Sequence, residues 1–407
     1  MSRARKNPVP LGVRCANSRE VCALLRHPPH NRGAPRSVRV VETHFAWVFL
    51  VGRKAYKLKK ALRQTSLDYR SLAARERGCR NEVSLNRRLA PRIYLRSVPI
   101  VRTQSGELIL GGRAASLARR GTATILDWLI EMVRLPVRGM LDRAITQGRA
   151  RRSDLERLAE RLDHFFRHAR PRPMGDRAYR ARLRGEIRQN GRELALGLSR
   201  RRIEPVIRAQ LEFVTAHGEA LAGRGGRLRD GHGDLRPEHV YLGGRASEVC
   251  VIDCLEFDPN LRRLDPAEEV GFLALECERL GARAIAWELI DRYRAATSDP
   301  VPEGLMHFYM SCRAATRSKI AAWRLREVRS ASERRKWKAR AYSYLDDARE
   351  HIRAAKRAFS GRERKDAGAR DCDDRLRHAG RSTGARLTLD TRLLRQRHFD
   401  VALQQVP

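Results

Sequence analysis

Two aspartates nineteen positions apart, each beside a short apolar run, constrain this chain more than any other feature. The first stands in Gly231-His232-Gly233-Asp234-Leu235-Arg236-Pro237-Glu238-His239-Val240-Tyr241-Leu242. The second stands in Val249-Cys250-Val251-Ile252-Asp253-Cys254-Leu255-Glu256-Phe257. Gly243-Gly244 between them is expected to turn the chain, so that both carboxylates would return to one place. Such a pair suits phosphoryl transfer, where the protein mainly positions groups and neutralises charge. One carboxylate must orient an acceptor hydroxyl and take its proton, while another holds Mg2+ against nucleotide phosphates. Asp234, in a loop, fits the first role, and Asp253, ending an apolar strand, fits the second. His232 belongs to the same catalytic loop and reads as a buttress of its backbone rather than a proton carrier.

The stretch before this block predicts an α+β arrangement. Val38–Glu42 and Thr43–Val51 are rich in β-branched and aromatic residues, and Gly52-Arg53-Lys54 turns the chain into Ala55-Tyr56-Lys57-Leu58-Lys59-Lys60. A helix follows over Ser71–Leu89, with Leu72, Ala73, Cys79, Val83 and Leu89 on a broad apolar face. Strands are expected around 93–102, 108–110 and 127–133. Beyond Leu135-Pro136 the periodicity is helical, over 153–168, 176–197, 204–222, 266–280, 283–296, 303–327 and 333–358, interrupted only by the aspartate block. Ser153-Asp154-Leu155-Glu156 reads as a capping box. The expected organisation is an extension over 1–35, a sheet lobe over 36–133 and a helical lobe over 134–360. A basic, largely disordered tail over 361–407 follows, with one helical stub near 387–403.

The His-Gly-Asp of 232–234, with Ile252-Asp253 and Glu256-Phe257, resembles the aminoglycoside and choline phosphotransferases of the protein-kinase-like superfamily. The resemblance is closer to a bacterial subset described only as predicted kinases. Trp47-Val48-Phe49-Leu50, the lysine strand, Leu85-Asn86-Arg87-Arg88-Leu89-Ala90-Pro91 and Leu264-Asp265-Pro266-Ala267 match in the required order, over roughly residues 38–355. The resemblance implies a two-lobed fold, ATP and Mg2+ as cofactors, and a small-molecule hydroxyl as acceptor. It implies that Lys57 touches the α- and β-phosphates, with Glu82 as its carboxylate partner. Lys59 shares the strand face of Lys57, so the choice between the two stays open. Glu131, Met132 and Val133 resemble the hinge whose backbone meets the adenine. Asp265 resembles the aspartate that braces the catalytic loop, and Glu256 reads as supporting either metal or structure.

Three departures accompany the resemblance. No G-x-G-x-x-G loop precedes the lysine strand. His239 stands five residues after Asp234, where kinases place an asparagine for a second Mg2+, and neutral imidazole is a poor ligand for so hard a cation. No G-x-x-x-x-G-K-[ST] is present, so the second nucleotide site of some relatives is not expected.

Composition narrows the remaining classes. The formal net charge of +38 attracts phosphates in general, but ten of the 85 basic residues are Lys and the rest are Arg, scattered over predicted helix faces. GC-rich coding produces that skew without any partner, so a specific nucleic-acid interface is not expected. The eight cysteines form no CxxC pair and read as reduced core thiols. With no long apolar run and no secretory signature, the expected location is cytoplasmic and no membrane partner is expected. The leading expectation is a phosphotransferase binding nucleotide and a small-molecule acceptor. The alternatives are a kinase fold that binds nucleotide or protein without catalysis, motivated by His239, and an Arg-rich nucleic-acid binder.

Overall fold

The computed structural model describes residues 16–26, 37–64, 67–243 and 248–369. The first half of the chain runs α1 (Ser18–Arg26), β1 (Arg39–Glu42), β2 (Ala46–Val51), β3 (Lys54–Lys59), β4 (Arg63–Gln64), β5 (Leu67–Asp68), α2 (Leu72–Asn86), β6 (Tyr94–Thr103), β7 (Leu108–Leu110), α3 (Gly112–Arg119), β8 (Ala123–Val133), α4 (Leu141–Thr146) and α5 (Arg152–His168). The second continues with α6 (Asp176–Leu194), α7 (Arg200–Ala216), β9 (Arg229–Asp230), β10 (Val240–Tyr241), β11 (Cys250–Val251), β12 (Arg263–Leu264), α8 (Pro266–Arg279), α9 (Arg283–Thr297), α10 (Glu303–Glu327) and α11 (Ala331–Ala369). The class is α+β, with an N-terminal antiparallel sheet and a mainly helical remainder.

Two compact units divide these elements. One holds the described residues up to Gly148 together with Glu238–Arg262; the other holds Arg149–Pro237 and the described residues from Arg263 onward. The expected border at 133/134 thus lies some residues later, and the segment bearing His239, Asp253 and Glu256 belongs with the sheet.

In the sheet unit six strands lie in the order β1-β2-β3-β8-β6-β7. The predicted turn at Gly52-Arg53 closes a hairpin with Val51 opposite Lys54. Side chains alternate across the sheet, and both faces are covered, which is why β2 reads as an unbroken apolar run. Val48, Leu50, Ala55, Ile130 and Met132 pack with Cys79 and Val83 of α2 and with Cys250 and Ile252. Phe49, Val51, Tyr56, Leu58 and Leu129 face the other way, against Val21, Leu24 and Leu25 of α1. Part of the expected N-terminal extension is therefore a helix that closes the outer face of the sheet.

Helix α2 begins at an N-cap, where the Ser71 hydroxyl accepts from the Ala74 N–H at 3.2 Å. Its buried face is Arg75, Gly78, Cys79, Glu82, Val83 and Asn86. Two charged residues sit on that face, so the helix is less amphipathic than its fold demands. Arg75 is compensated by Asp127 at 2.8 Å and by the carbonyls of Tyr69 and Arg70.

In the helical unit, α8 is buried from Ala267 to Cys277, and α10 buries Leu305, Met306, Phe308, Tyr309 and Met310. The stripe of α5 is Leu155, Leu158, Ala159, Leu162, Phe165 and Phe166. Its start differs from expectation: the Asp154 carboxylate accepts from the Arg151 N–H at 3.0 Å, so the cap forms two residues before Ser153. Helix α11 runs to Ala369, past the expected border at 360, and the predicted stub at 387–403 lies outside the described residues. No helix among the described residues is long and apolar enough to cross a membrane. Cys79, Cys250, Cys254 and Cys277 are buried, and burial pushes the Cys79 thiol up to about 12.

Candidate functional site

The lysines of β3 and the carboxylates around them form one continuous network in the sheet unit. Alternation along β3 directs Lys57 and Lys59 to the face covered by α2. Lys57 Nζ lies 2.8 Å from Glu82 Oε1 and 2.8 Å from Asp253 Oδ1. Lys59 Nζ lies 2.5 Å from the other Glu82 oxygen and also binds Glu256 Oε1. The Tyr69 hydroxyl donates to the same Glu256 oxygen at 2.7 Å, and the Tyr69 ring covers the Lys59 ammonium at 4.9 Å. Sequence reasoning left Lys57 and Lys59 as alternatives; both reach Glu82, one oxygen each.

Burial by itself would depress the Lys57 ammonium, yet Asp253 and then Glu82 hold it well above its ordinary range. Lys59 behaves the same way, burial being outweighed by Glu256 and Glu82. Burial works to raise Glu256, but Lys59 and Lys57 keep it below the ordinary carboxylate range. All these signs favour charged lysines and a charged Glu256. Buried charges survive only when paired this fully.

Asp253 has φ 64, unusual for a residue with a side chain. Its N–H donates to the Tyr94 hydroxyl at 3.1 Å, and the next N–H, of Cys254, donates to Asn86 Oδ1 at 2.9 Å. Its carboxylate is 43% exposed, and its second oxygen lies 3.6 Å from His239 Nε2. Among the described residues no three His, Cys, Asp or Glu side chains converge on a metal by themselves. A Mg2+ ion held by Asp253 would need phosphate oxygens and water to complete its shell.

The His-Gly-Asp loop belongs to the helical unit. The backbone N–H of His232 is shared between both oxygens of Glu269, each at 2.9 Å, and the Gly233 N–H donates to Glu269 Oε1 at 2.5 Å. A Cβ at position 231 would meet the Glu269 carboxylate, which would have to move. The loop brace is thus Glu269, which sequence reasoning missed, and not Asp265. Asp265 is wholly buried one helical turn earlier, where it caps α8, accepts from Arg224 at 2.6 Å and accepts from the Tyr309 hydroxyl at 2.8 Å. The spacing of Asp265 and Glu269, i and i+4 on one helix face, was the available signal. His232 is buried, and its Nδ1 accepts from the Asp234 N–H at 3.3 Å. Arg236 Nε stands 3.2 Å from Asp234 Oδ2.

The hinge expectation fares differently. Glu131 and Met132 pair with β3 on one side and β6 on the other, so their backbone is taken up in the sheet. Val133 donates to Ile93 O at 2.9 Å. The Glu131 carboxylate points to the face opposite Lys57, bound to Lys54 at 2.5 Å and Arg96 at 2.7 Å.

These features define an α+β protein with a buried lysine–carboxylate network in its sheet unit and a glutamate-pinned His-Gly-Asp loop in its helical unit. No family model matches the chain. An uncharacterized protein of Mycobacterium tuberculosis is 30% identical over 329 residues, covering 78% of this chain and 60% of that protein, and one of Mycobacterium bovis matches to the same extent. The chain spans about 60% of the length of the curated relatives it matches. Among solved structures it is similar to a mutant aminoglycoside 2'-phosphotransferase-IIIa bound to GDP, at 12% identity over 82% of this chain and 98% of that chain, with a TM-score of 0.49. It is also similar to a choline/ethanolamine kinase family protein from Mesorhizobium loti, at 14% identity over 83% and 98%, with a TM-score of 0.47. Likeness of this degree does not extend to an activity.

Proposed function

We propose that the chain is an ATP- and Mg2+-dependent phosphotransferase that moves the γ-phosphoryl group of the nucleotide to a hydroxyl of a small molecule. The observation that carries this reading is Lys57 bridging Glu82 and Asp253 at 2.8 Å each. A lysine held by a helix glutamate beside a partly exposed aspartate is the arrangement that phosphate oxygens and a divalent cation require. Lys57 would meet the α- and β-phosphates. Mg2+, when bound, would supply neutralisation of the phosphate oxygens, with Asp253 as its protein ligand.

In this reading Asp234 accepts the proton of the acceptor hydroxyl as that oxygen bonds to the γ-phosphorus. The bond from this phosphorus to the β–γ bridging oxygen breaks, and nucleoside diphosphate leaves. The Arg236 guanidinium beside Asp234 offsets charge on the transferring oxygens. Glu269 and His232 keep the loop in shape, so the carboxylate needs little reorganisation.

The test is ATP consumption across a metabolite panel for wild type, Asp234→Asn and Asp253→Ala. Asp234→Asn is expected to lower kcat by roughly 10²–10⁴-fold with little change in nucleotide affinity. Asp253→Ala is expected to abolish the metal dependence of nucleotide binding. Unchanged turnover in both variants sinks the proposal.

A second reading follows from His239, whose imidazole lies 3.6 Å from Asp253 Oδ2 where kinases offer an amide oxygen. It is a protein that binds nucleotide without transferring phosphate. Metal-dependent nucleotide binding with no transfer to any acceptor would favour it.

A further inference from the structure

The segment after β11 is fastened residue by residue. The Ile252 N–H donates to the His239 carbonyl at 2.9 Å, the Asp253 N–H to Tyr94 and the Cys254 N–H to Asn86. Three residues beyond Asp253, the Glu256 carboxylate is gripped by Lys59 and Tyr69. These partners come from β3, β6, α2, the residues just before α2 and the residue just before β10, so the left-handed backbone at Asp253 is held from several sides.

The two lysines are not equivalent within this frame. The Lys59 side chain is 2% exposed and lies between Glu82 and Glu256 under the Tyr69 ring, whereas that of Lys57 is 17% exposed and holds the partly exposed Asp253. Removing Lys59 from its place would strand two buried carboxylates, a change that buried pairs resist strongly. Lys57 can turn toward another anion at smaller cost, because Lys59 still neutralises Glu82.

We infer that Lys59, Glu256 and Tyr69 form a fixed anchor that positions Asp253, and that Lys57 alone is the lysine released to phosphate. The anchor stands on the geometry; the assignment of Lys57 rests on the phosphotransferase reading. A single exchange then serves both partners. Phosphate oxygens replace the carboxylates around Lys57, and Asp253, freed from its ion pair, becomes available to the cation.

The experiment uses the full chain. Without nucleotide, amide hydrogen exchange is followed in Tyr69→Phe, which removes one hydroxyl, and in Glu256→Gln. Both are expected to speed exchange at Asp253 and Cys254 by about tenfold or more, the value of a hydrogen bond to a charged group, while Leu58 in β3 stays protected. Unchanged protection at 253 and 254 in both variants overturns the anchor, whatever the activity.

With ATP, the Mg2+ concentration for half-maximal nucleotide binding is expected to rise severalfold in Tyr69→Phe and Glu256→Gln. Lys57→Met is expected to weaken nucleotide binding both with and without Mg2+. A Lys57→Met protein that binds nucleotide like the wild type overturns the lysine assignment. A wild type that binds no nucleotide with Mg2+ sinks the phosphotransferase reading and the role of Lys57 with it, and the exchange result then decides the anchor alone.

Discussion

Lys57 Nζ and Asp253 Oδ1 lie 2.8 Å apart although 196 positions of chain separate them. This ion pair, with the neighbouring bond from Lys59 to Glu256, fastens the segment 252–256 to strand β3. The same segment supplies Cys250 and Ile252 to the inner core of the sheet. Charge pairing and apolar burial therefore act together in drawing Glu238–Arg262 into the sheet unit.

Glu82→Gln removes the one carboxylate shared by both lysines. Glu82 is fully buried, so the change leaves two buried cations short of a partner. A loss of about 3–5 kcal/mol in unfolding free energy is expected, as for breaking a buried pair from one side. Urea denaturation monitored on the full chain checks it, and a loss below about 1 kcal/mol would mean the network is hydrated in solution.

Glu269→Gln should act on the loop more than on the fold. The carboxylate accepts three bonds from the His232 and Gly233 N–H groups, whereas an amide offers one acceptor oxygen. The expected cost is about 1.5–3 kcal/mol, the worth of hydrogen bonds to a charged acceptor. If the proposed chemistry holds, kcat falls while nucleotide affinity measured by titration does not.

Gly78→Ala tests the packing that aims Tyr69. A Cβ at position 78 would sit 2.6 Å from Cε1 of the Tyr69 ring. Helix propensity favours alanine by about 1 kcal/mol, but the clash should reverse the sign and destabilise by about 1–3 kcal/mol. Thermal unfolding gives the sign directly, and a raised Tm would mean that the ring shifts without cost.

Acid stability should depend on a buried histidine pair in the helical unit. His307 and His351 meet Nδ1 to Nδ1 at 2.9 Å, with Glu278 3.3 Å from His351 and Glu303 3.7 Å from His307. Burial, then His351, pushes His307 down to about 4; Arg283 and Arg357 act in the same direction and Glu278 opposes them. A histidine depressed from its unfolded value near 6.5 contributes its full stability above that value and loses it as pH falls toward 4, up to about 3 kcal/mol. Urea midpoints measured from pH 7 to pH 4 should fall in wild type and flatten in His307→Gln. Equal slopes would discount the pair.

The sheet was legible wherever local signals agreed: the β-rich runs, the Gly52-Arg53 turn and the helix after Ser71 stand close to where periodicity puts them. The lysine strand carried a signal beyond its pattern. Four of the ten lysines in this Arg-dominated chain, Lys54, Lys57, Lys59 and Lys60, fall within seven positions, and a compact ammonium is not interchangeable with a guanidinium. Glu269 was illegible because nothing local separates a carboxylate that pins a distant loop from one that faces water. Helix α1 escaped for a similar reason, since its few apolar residues acquire meaning only against the outer face of the sheet.

By itself, the sequence determined the element types, the strand turns and the residue classes needed for the proposed chemistry, because these follow from side-chain periodicity, turn residues and charge. Tertiary structure decided the partners. It gave each lysine its own carboxylate, moved the brace from Asp265 to Glu269, took Glu131 to the opposite face and assigned the 238–262 segment to the sheet. The physical reason is that a buried charge is specified by whatever comes within about 3 Å of it, and those neighbours are brought together by packing of residues far apart in the chain.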